Sequence, residues 1–258
     1  MSRHRRVLDA VLDGTRRVED LAALLGVSPS TVRRALGELE DEGRVVRTRG
    51  GAVPVGALAH AEPSWTEKQR RRVPAKRAIA EHAAALVQDH HVVLLDAGST
   101  TTFIAERLAD RRGPTVVTNG IGPMTALQHA EGVEVIVTGG HLRRPRGSLA
   151  GDLTRVVLDR IGVDIAFVGV DGLDPERGLN CPTAEIGALK ELLMRSAPHT
   201  VLVTDSSKLG VAPHHHWAPV PGPYTLVTDD GLDPGVRTAL ESDRRCALVA
   251  LPPRTPSP

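Results

Sequence analysis

The chain has 258 residues, 41% apolar and 24% charged, the balance of a water-soluble protein with one or two packed domains. Only 2% of residues are aromatic, which removes a stacking platform for single-stranded nucleic acid. No run of 18 apolar residues occurs and no apolar segment follows the basic N-terminus, so neither a membrane span nor a secretory signal is expected. Two cysteines exclude a disulfide scaffold and fit a cytoplasmic protein. The net charge of +1 hides an asymmetry: residues 1–80 hold 16 Lys and Arg against 10 Asp and Glu, and the remainder holds 16 against 21. A basic N-terminal part on a mildly acidic body fits a polyanionic partner at one end. Of the 32 basic residues, 28 are Arg and four are Lys.

Val7, Leu8, Val11 and Leu12 recur at helical spacing, and Gly14 ends that run. Residues 18–25 form a second short helix with Leu21, Leu24 and Leu25 on one face. Gly26 and Val27 make a tight turn. Ser28 then caps a third helix that has Pro29 at its first position. Its apolar residues are Val32, Leu36 and Leu39, and its other face carries Ser30, Thr31, Arg33, Arg34 and Gly37. This is a helix-turn-helix pattern, and the N-terminal end of such a third helix enters the major groove. Arg can bond guanine O6 and N7 together, while Ser and Thr reach bases or phosphates. Gly43 closes the helices. Residues 44–47 read as a strand, 48–51 as a turn and 52–53 as the return. Together they are a wing with Arg47 and Arg49 near its tip. The plainer reading is a three-helix interaction module with a solvated basic face. The agreement of cap, turn, face and wing favours DNA.

Residues 54–64 have linker composition, and Arg70, Arg71 and Arg72 suit a solvated surface or a place near phosphate. Beyond Ala75, apolar runs at 92–96, 115–118, 133–138, 165–170, 201–204, 226–228 and 247–251 alternate with helical stretches. Those stretches lie near 101–109, 123–130, 153–161, 183–196 and 234–241. The alternation predicts an α/β domain with an open, largely parallel sheet. The expected organisation is a winged helix-turn-helix domain over 1–57, a linker over 58–74, an α/β effector-binding domain over 75–251 and a disordered tail over 252–258.

The chemistry is expected where strands end. Asp96 leads into Gly98, Ser99, Thr100 and Thr101 at a helix start, where free N–H groups and the dipole favour an anion. No Gly-Lys-Ser/Thr ends this turn, so it is not a Walker A loop. The other strand ends carry Thr118 and Asn119, Gly139 and Gly140, Asp171, and Asp205 with Lys208. In open α/β sheets, ligands bind beyond the carboxyl ends of the strands. Each single Asp reads more readily as a turn or cap residue; their convergence argues for one cleft. His214, His215 and His216 are adjacent on a loop and cannot all face one ion, so a solvated loop is expected there and no metal. Arg143, Arg144 and Arg146 read as an exposed loop near the cleft. No cofactor is expected.

Two groups of residues carry a family resemblance. Val27-Ser28-x-Ser30-Thr31-Val32-Arg33-Arg34 with Leu36 and Leu39, then Arg47-x-x-Gly50-Gly51-Ala52, resembles the DeoR family of bacterial transcription regulators, with Ala35 where the family carries Asp. Ala75-Lys76-x-x-Ile79-Ala80, Asp96-x-Gly98-Ser99-Thr100-Thr101, Thr118-Asn119, Gly139-Gly140, Val168-x-x-Asp171-Gly172, Lys190 and Asp205-x-Ser207-Lys208 are similar to the sensor domain of that family. The resemblance spans roughly residues 3–250. It implies a fold like ribose-5-phosphate isomerases and coenzyme A transferases, with a sugar-phosphate effector site over these loops. It adds Lys190 and, five rather than four positions before it, Glu185. The expected function is a DNA-binding regulator, a repressor of sugar or polyol genes controlled by a phosphorylated sugar. A homo-oligomer is expected to read repeated half-sites of a double-stranded operator. The alternative is a sugar-phosphate isomerase-like enzyme fused to a DNA-binding module; a scaffold with a vestigial cleft is the third reading. An isomerase does not need the first 57 residues.

Overall fold

The computed structural model describes residues 3–12, 15, 17–42, 44–48, 50–54, 64–144 and 146–252. The chain divides into two compact units, residues 1–62 and 63–258. The expectations for Gly14, Gly43, Arg49, residues 58–63 and residues 253–258 lie outside the described residues. Among the described residues no helix is long and apolar enough to cross a membrane.

The first unit holds α1 (Arg3–Leu12), α2 (Val18–Leu25) and α3 (Pro29–Asp41), then β1 (Val45–Thr48) paired antiparallel with β2 (Gly51–Pro54). Val32, Leu36 and Leu39 share one side of α3 because three- and four-residue steps return to the same face of a helix. They close on Val7, Val11, Leu21, Val45 and Ala52 in a single core. Gly26 ends α2 at φ +64°, a left-handed position that favours glycine. Ser28 caps α3, its Oγ accepting from the Thr31 N–H at 3.2 Å. The hairpin docks on α2 through the Val18 N–H, which donates to the Gly50 carbonyl at 2.8 Å. Leu24 departs from expectation. Turning Val18, Leu21 and Ala22 inward leaves it 62% exposed.

The second unit opens with α4 (Trp65–Arg70) and α5 (Val73–Ala85). There follow β3 (Val92–Leu95), α6 (Ser99–Leu108), β4 (Thr115–Thr118), α7 (Ile121–Leu127) and β5 (Glu134–Val137). A hairpin of β6 (His141–Arg143) and β7 (Ser148–Ala150) leads to α8 (Asp152–Leu158) and β8 (Ile165–Gly169). Then come β9 (Leu173–Asp174), β10 (Gly178–Cys181), α9 (Ala184–Arg195), β11 (His199–Val203) and β12 (His216–Ala218). The last elements are β13 (Tyr224–Asp229), α10 (Pro234–Ser242) and β14 (Cys246–Leu251).

The seven expected strands pair in parallel in the order β14-β13-β11-β8-β3-β4-β5. From β3 the sheet grows outward through β4 and β5. The chain then returns and adds β8 on the other side of β3. Successive side chains point to opposite faces, so Val93 and Leu95 pack with Ile79 of α5 and Ile104 of α6, while Leu94 packs with Ile186 and Leu193 of α9. Helices cover both faces, and for that reason the strands read as continuous apolar runs.

The linker expected over 58–74 does not hold for its second part, where α4 and the start of α5 stand. A capping box starts α4: the Ser64 Oγ accepts from the Glu67 N–H at 3.3 Å, and Glu67 Oε2 accepts from the Ser64 N–H at 2.7 Å. Trp65 lies so close over Gly122 that a Cβ there would come within 2.8 Å of its Nε1. The β6–β7 hairpin and the antiparallel β12-β10-β9 sheet have no counterpart in the sequence reading. Their strands are two to four residues long, too short to display a period.

Leu36 is fully buried at the centre of the first unit. Leu36→Ala should cost about 2–5 kcal/mol in urea unfolding of that unit and abolish DNA retardation.

Candidate functional site

On the first unit, Ser28, Ser30, Arg33 and Arg34 are exposed on α3, Thr31 is half-buried, and Val32, Ala35 and Leu36 face inward. The Ser28 hydroxyl also bonds the hydroxyls of Ser30 at 2.8 Å and Thr31 at 2.7 Å, which gathers three short polar groups at the start of α3. Arg33 is loosely paired with Glu19 at 3.9 Å, both exposed, a weak contact that leaves the guanidinium usable. Arg47 is exposed on β1, and its N–H donates to Glu40 Oε1 at 3.1 Å, fixing the hairpin to the end of α3. A short polar patch and two arginines thus stand at one helix start, with a third arginine on the adjoining hairpin.

On the second unit the strand order reverses between β3 and β8, the place where ligands bind in such sheets. Asp96 leaves β3 there. Its Oδ2 accepts from the Gly169 N–H of β8 at 3.0 Å and pairs with the Lys190 ammonium, which also donates to the Gly169 carbonyl at 2.7 Å. The turn after Asp96 is closed by its own side chains. Thr101 Oγ1 donates to the Asp96 carbonyl at 2.5 Å, and Thr118 Oγ1 donates to the Leu95 carbonyl at 2.6 Å. Asn119 Oδ1 accepts from the Ala97 N–H at 3.0 Å, and its Nδ2 donates to the Leu149 carbonyl at 3.3 Å. Gly139 and Gly140 have φ of +72° and +111°, and a Cβ on Gly140 would lie 2.4 Å from the Ala150 carbonyl oxygen.

Two residues past β8, Asp171 collects cations from distant segments. Lys68 of α4 donates to one carboxylate oxygen and Arg146, from the loop of the β6–β7 hairpin, to the other. His214 Nε2 stands 3.9 Å away. Asn180 of β10 holds that histidine's backbone, its Oδ1 accepting from the His214 N–H at 2.7 Å. Lys208 faces Asp171 and pairs with Asp205 at 3.7 Å. Lys76, 1% exposed, donates to the carbonyls of Lys68 and, at 2.7 Å, Arg71. Burial pushes the Asp171 carboxyl up, but Lys68, Arg146 and Lys208 outweigh it and hold it far below the usual range. Burial lowers the Lys68 ammonium to about 7 against the pull of Asp171. Burial, with Lys208 adding to it, lowers Lys76 to about 8.

Of the effector residues expected from sequence, Asp96, Asp171, Lys190, Asp205 and Lys208 come together in the charged cluster. Gly98, Asn119, Gly139 and Gly140 lie in the loops at the strand ends, Ser99, Thr100 and Thr101 in the first turn of α6, and Thr118 at the end of β4. Glu185 does not join them. It is exposed in the first turn of α9, and five helical residues carry it roughly 140° around the axis from Lys190. Sequence reasoning missed Lys68 and Arg146 and set His214 aside. Lys68 stood in the expected linker and Arg146 in an expected exposed loop, yet their side chains are 15% and 13% exposed. His214 is not solvated either, at 10%. One signal was available: all four lysines of this arginine-rich chain, Lys68, Lys76, Lys190 and Lys208, stand in this cluster.

A family model described as the DeoR-like helix-turn-helix domain matches residues 3–55, and one described as the DeoR C terminal sensor domain matches residues 71–230. The chain belongs to the DeoR family. Among its relatives, the HTH-type transcriptional regulator GlpR of Haloferax volcanii is 37% identical, over 93% of this chain and 94% of its own. A putative aga operon transcriptional repressor of Escherichia coli O157:H7 is 36% identical over 85% and 82%. The HTH-type transcriptional repressor GlcR of Bacillus subtilis is 32% identical over 82% and 81%. A ribose 5-phosphate isomerase A from Methanocaldococcus jannaschii aligns with 52% of this chain and 53% of its own at 21% identity and a TM-score of 0.39, too low to bear on function. As a DeoR-family member the chain is a DNA-binding transcriptional regulator with a sensor domain, and not an enzyme.

Lys190 supplies the countercharge of a nearly buried Asp96. Lys190→Met should therefore destabilise the second unit by about 3–5 kcal/mol in urea unfolding, far more than removal of an exposed pair.

Proposed function

We propose that this regulator is a cytoplasmic repressor, binding double-stranded operator DNA as a homo-oligomer and controlled by a phosphorylated sugar. The observation that carries the reading is the charge balance of the cleft. Lys68, Lys76, Arg146, Lys190 and Lys208, with Arg72 beside Asp205, outnumber Asp96, Asp171 and Asp205. The surplus of positive charge suits a phosphate. The start of α6 adds backbone N–H groups and a favourable dipole end. Asp205, Ser207 and Asn119 are of the types that bond sugar hydroxyls. Two of the relatives bear the word repressor in their names. One helix-turn-helix reads only a half-site, which favours an oligomer. The effector acts by binding the DNA-competent and DNA-incompetent states unequally.

Asp171 and Asp205 argue against catalysis in the same terms. A general base works best with a pKa near the operating pH, and Asp171 is held far below it. Calorimetry with a sugar phosphate and its unphosphorylated parent tests the reading; equal affinity would overturn the anion site.

Arg33→Ala or Arg34→Ala should weaken operator binding by about 1–3 kcal/mol if that residue reads a base. A phosphate contact would weaken all sequences alike and reduce the salt slope by about 1. Unchanged affinity in the double variant would remove α3 from the interface.

The lysines also set a pH dependence. Sulfate keeps its charge between pH 6 and pH 9, roughly the window set by Lys68 at about 7 and Lys76 at about 8, so its affinity there reads the protein alone. An anion favours the protonated lysines, which the free protein loses as pH rises. Sulfate affinity should fall across this window, by up to about tenfold per pH unit for each proton taken up. A flat calorimetric profile would place the anion elsewhere.

A further inference from the structure

We propose that Asp171 is a built-in anion that holds the ligand's place, and that its displacement moves α4, so that occupancy of the cleft is transmitted through this helix. The inference rests on the effector reading above. Both oxygens of Asp171 are taken, one by Lys68 and the other by Arg146, with Lys208 and His214 facing the same carboxylate. These are the donors an incoming phosphate needs. Two anions on one set of cations repel strongly at low local dielectric, so ligand and Asp171 exchange places.

The helix that carries Lys68 is poorly able to stand alone. It has six residues, and helices shorter than about 12 are marginal in water. Beyond its Ser64–Glu67 capping box, what holds it is external: the Lys76 ammonium on the Lys68 and Arg71 carbonyls, Trp65 over Gly122, and the Lys68–Asp171 pair. Arg72, directly after the Arg71 cap, has φ +52°, the one non-glycine residue in the left-handed region among the described residues. Such a conformation persists only where its surroundings impose it. One end of α4 is thus fixed by a strained junction and its middle by a carboxylate that the ligand challenges. In the other direction the chain runs from α4 through residues 55–63 to β2 of the DNA-binding unit. A change of partner at Lys68 is therefore applied to the segment that leads to the DNA-binding unit.

Trp65 lies three residues from Lys68 and reports on α4. The only other tryptophan is Trp217, which stacks under Arg177 at 4.0 Å on the β12-β10-β9 sheet. Trp217→Phe leaves Trp65 as the single reporter. Titrating this protein with inorganic phosphate should shift the Trp65 emission in step with a rise in Tm. Asp171→Asn on the same background should bind phosphate about tenfold more tightly, because its rival charge is gone, and should start from the shifted emission. A rise in Tm with unmoved emission, or no gain in affinity in Asp171→Asn, overturns the inference and leaves the effector site standing. No phosphate effect on Tm in either protein overturns the site itself and the inference with it. Should Asp171→Asn fail to fold, the Trp217→Phe titration alone decides.

Discussion

Where β3 meets β8, a single carboxylate ties the strand that opens the sheet to the strand that reverses its order. Asp96 ends β3, takes the Gly169 N–H of β8, and is neutralised by Lys190 reaching across from α9. Three elements far apart in sequence are joined at one atom group. The rest of the cleft follows from this junction. Gly98 and Thr101 turn the chain into α6 directly after it. Asp171 emerges two residues beyond the end of β8, on the same side of the sheet. The β6–β7 hairpin is laid against the neighbouring loop by the Leu149 N–H, which donates to the Asn119 carbonyl at 2.7 Å, and this brings Arg146 within reach.

A cleft of this kind has an energetic difficulty when empty. Buried like charges repel, and each ion taken out of water costs several kcal/mol unless paired. The cluster meets the cost by supplying its own counterions, and Asp171 pairs directly with two of them, Lys68 and Arg146. The same arrangement holds Asp171 and Asp205 ionised and makes Lys68 and Lys76 easily deprotonated. That is suited to recognising a charge and poorly suited to abstracting a proton from carbon.

The helix-turn-helix was legible because its signals are local. Ser28, Pro29 and the 32-36-39 stripe lie within twelve residues, and each is set by capping or helical periodicity. The five inner strands of the parallel sheet were legible because burial on both faces makes their central residues apolar, and the edge strands β5 and β14, only partly buried, keep short apolar runs. Lys68 and Arg146 were not legible, since they lie 103 and 25 residues from their common partner and nothing near them in the sequence marks the pairing. The three histidines misled for a related reason. Asn180, 34 residues before His214, turns that one residue inward while His215 and His216 stay exposed. Glu185 is set apart from Lys190 by helical phase alone.

The distribution of lysine has a practical side. Side-chain primary amines exist in this chain only at Lys68, Lys76, Lys190 and Lys208, all at the cleft and mostly buried. Amine-directed chemistry therefore has almost no neutral surface to react with. Immobilisation through amines, reductive methylation or a lysine-reactive label would fall on the sensor cleft or on the chain's α-amine. Attachment by any of these routes would alter the ligand response it was meant to observe, while the arginines of the first unit would be left untouched.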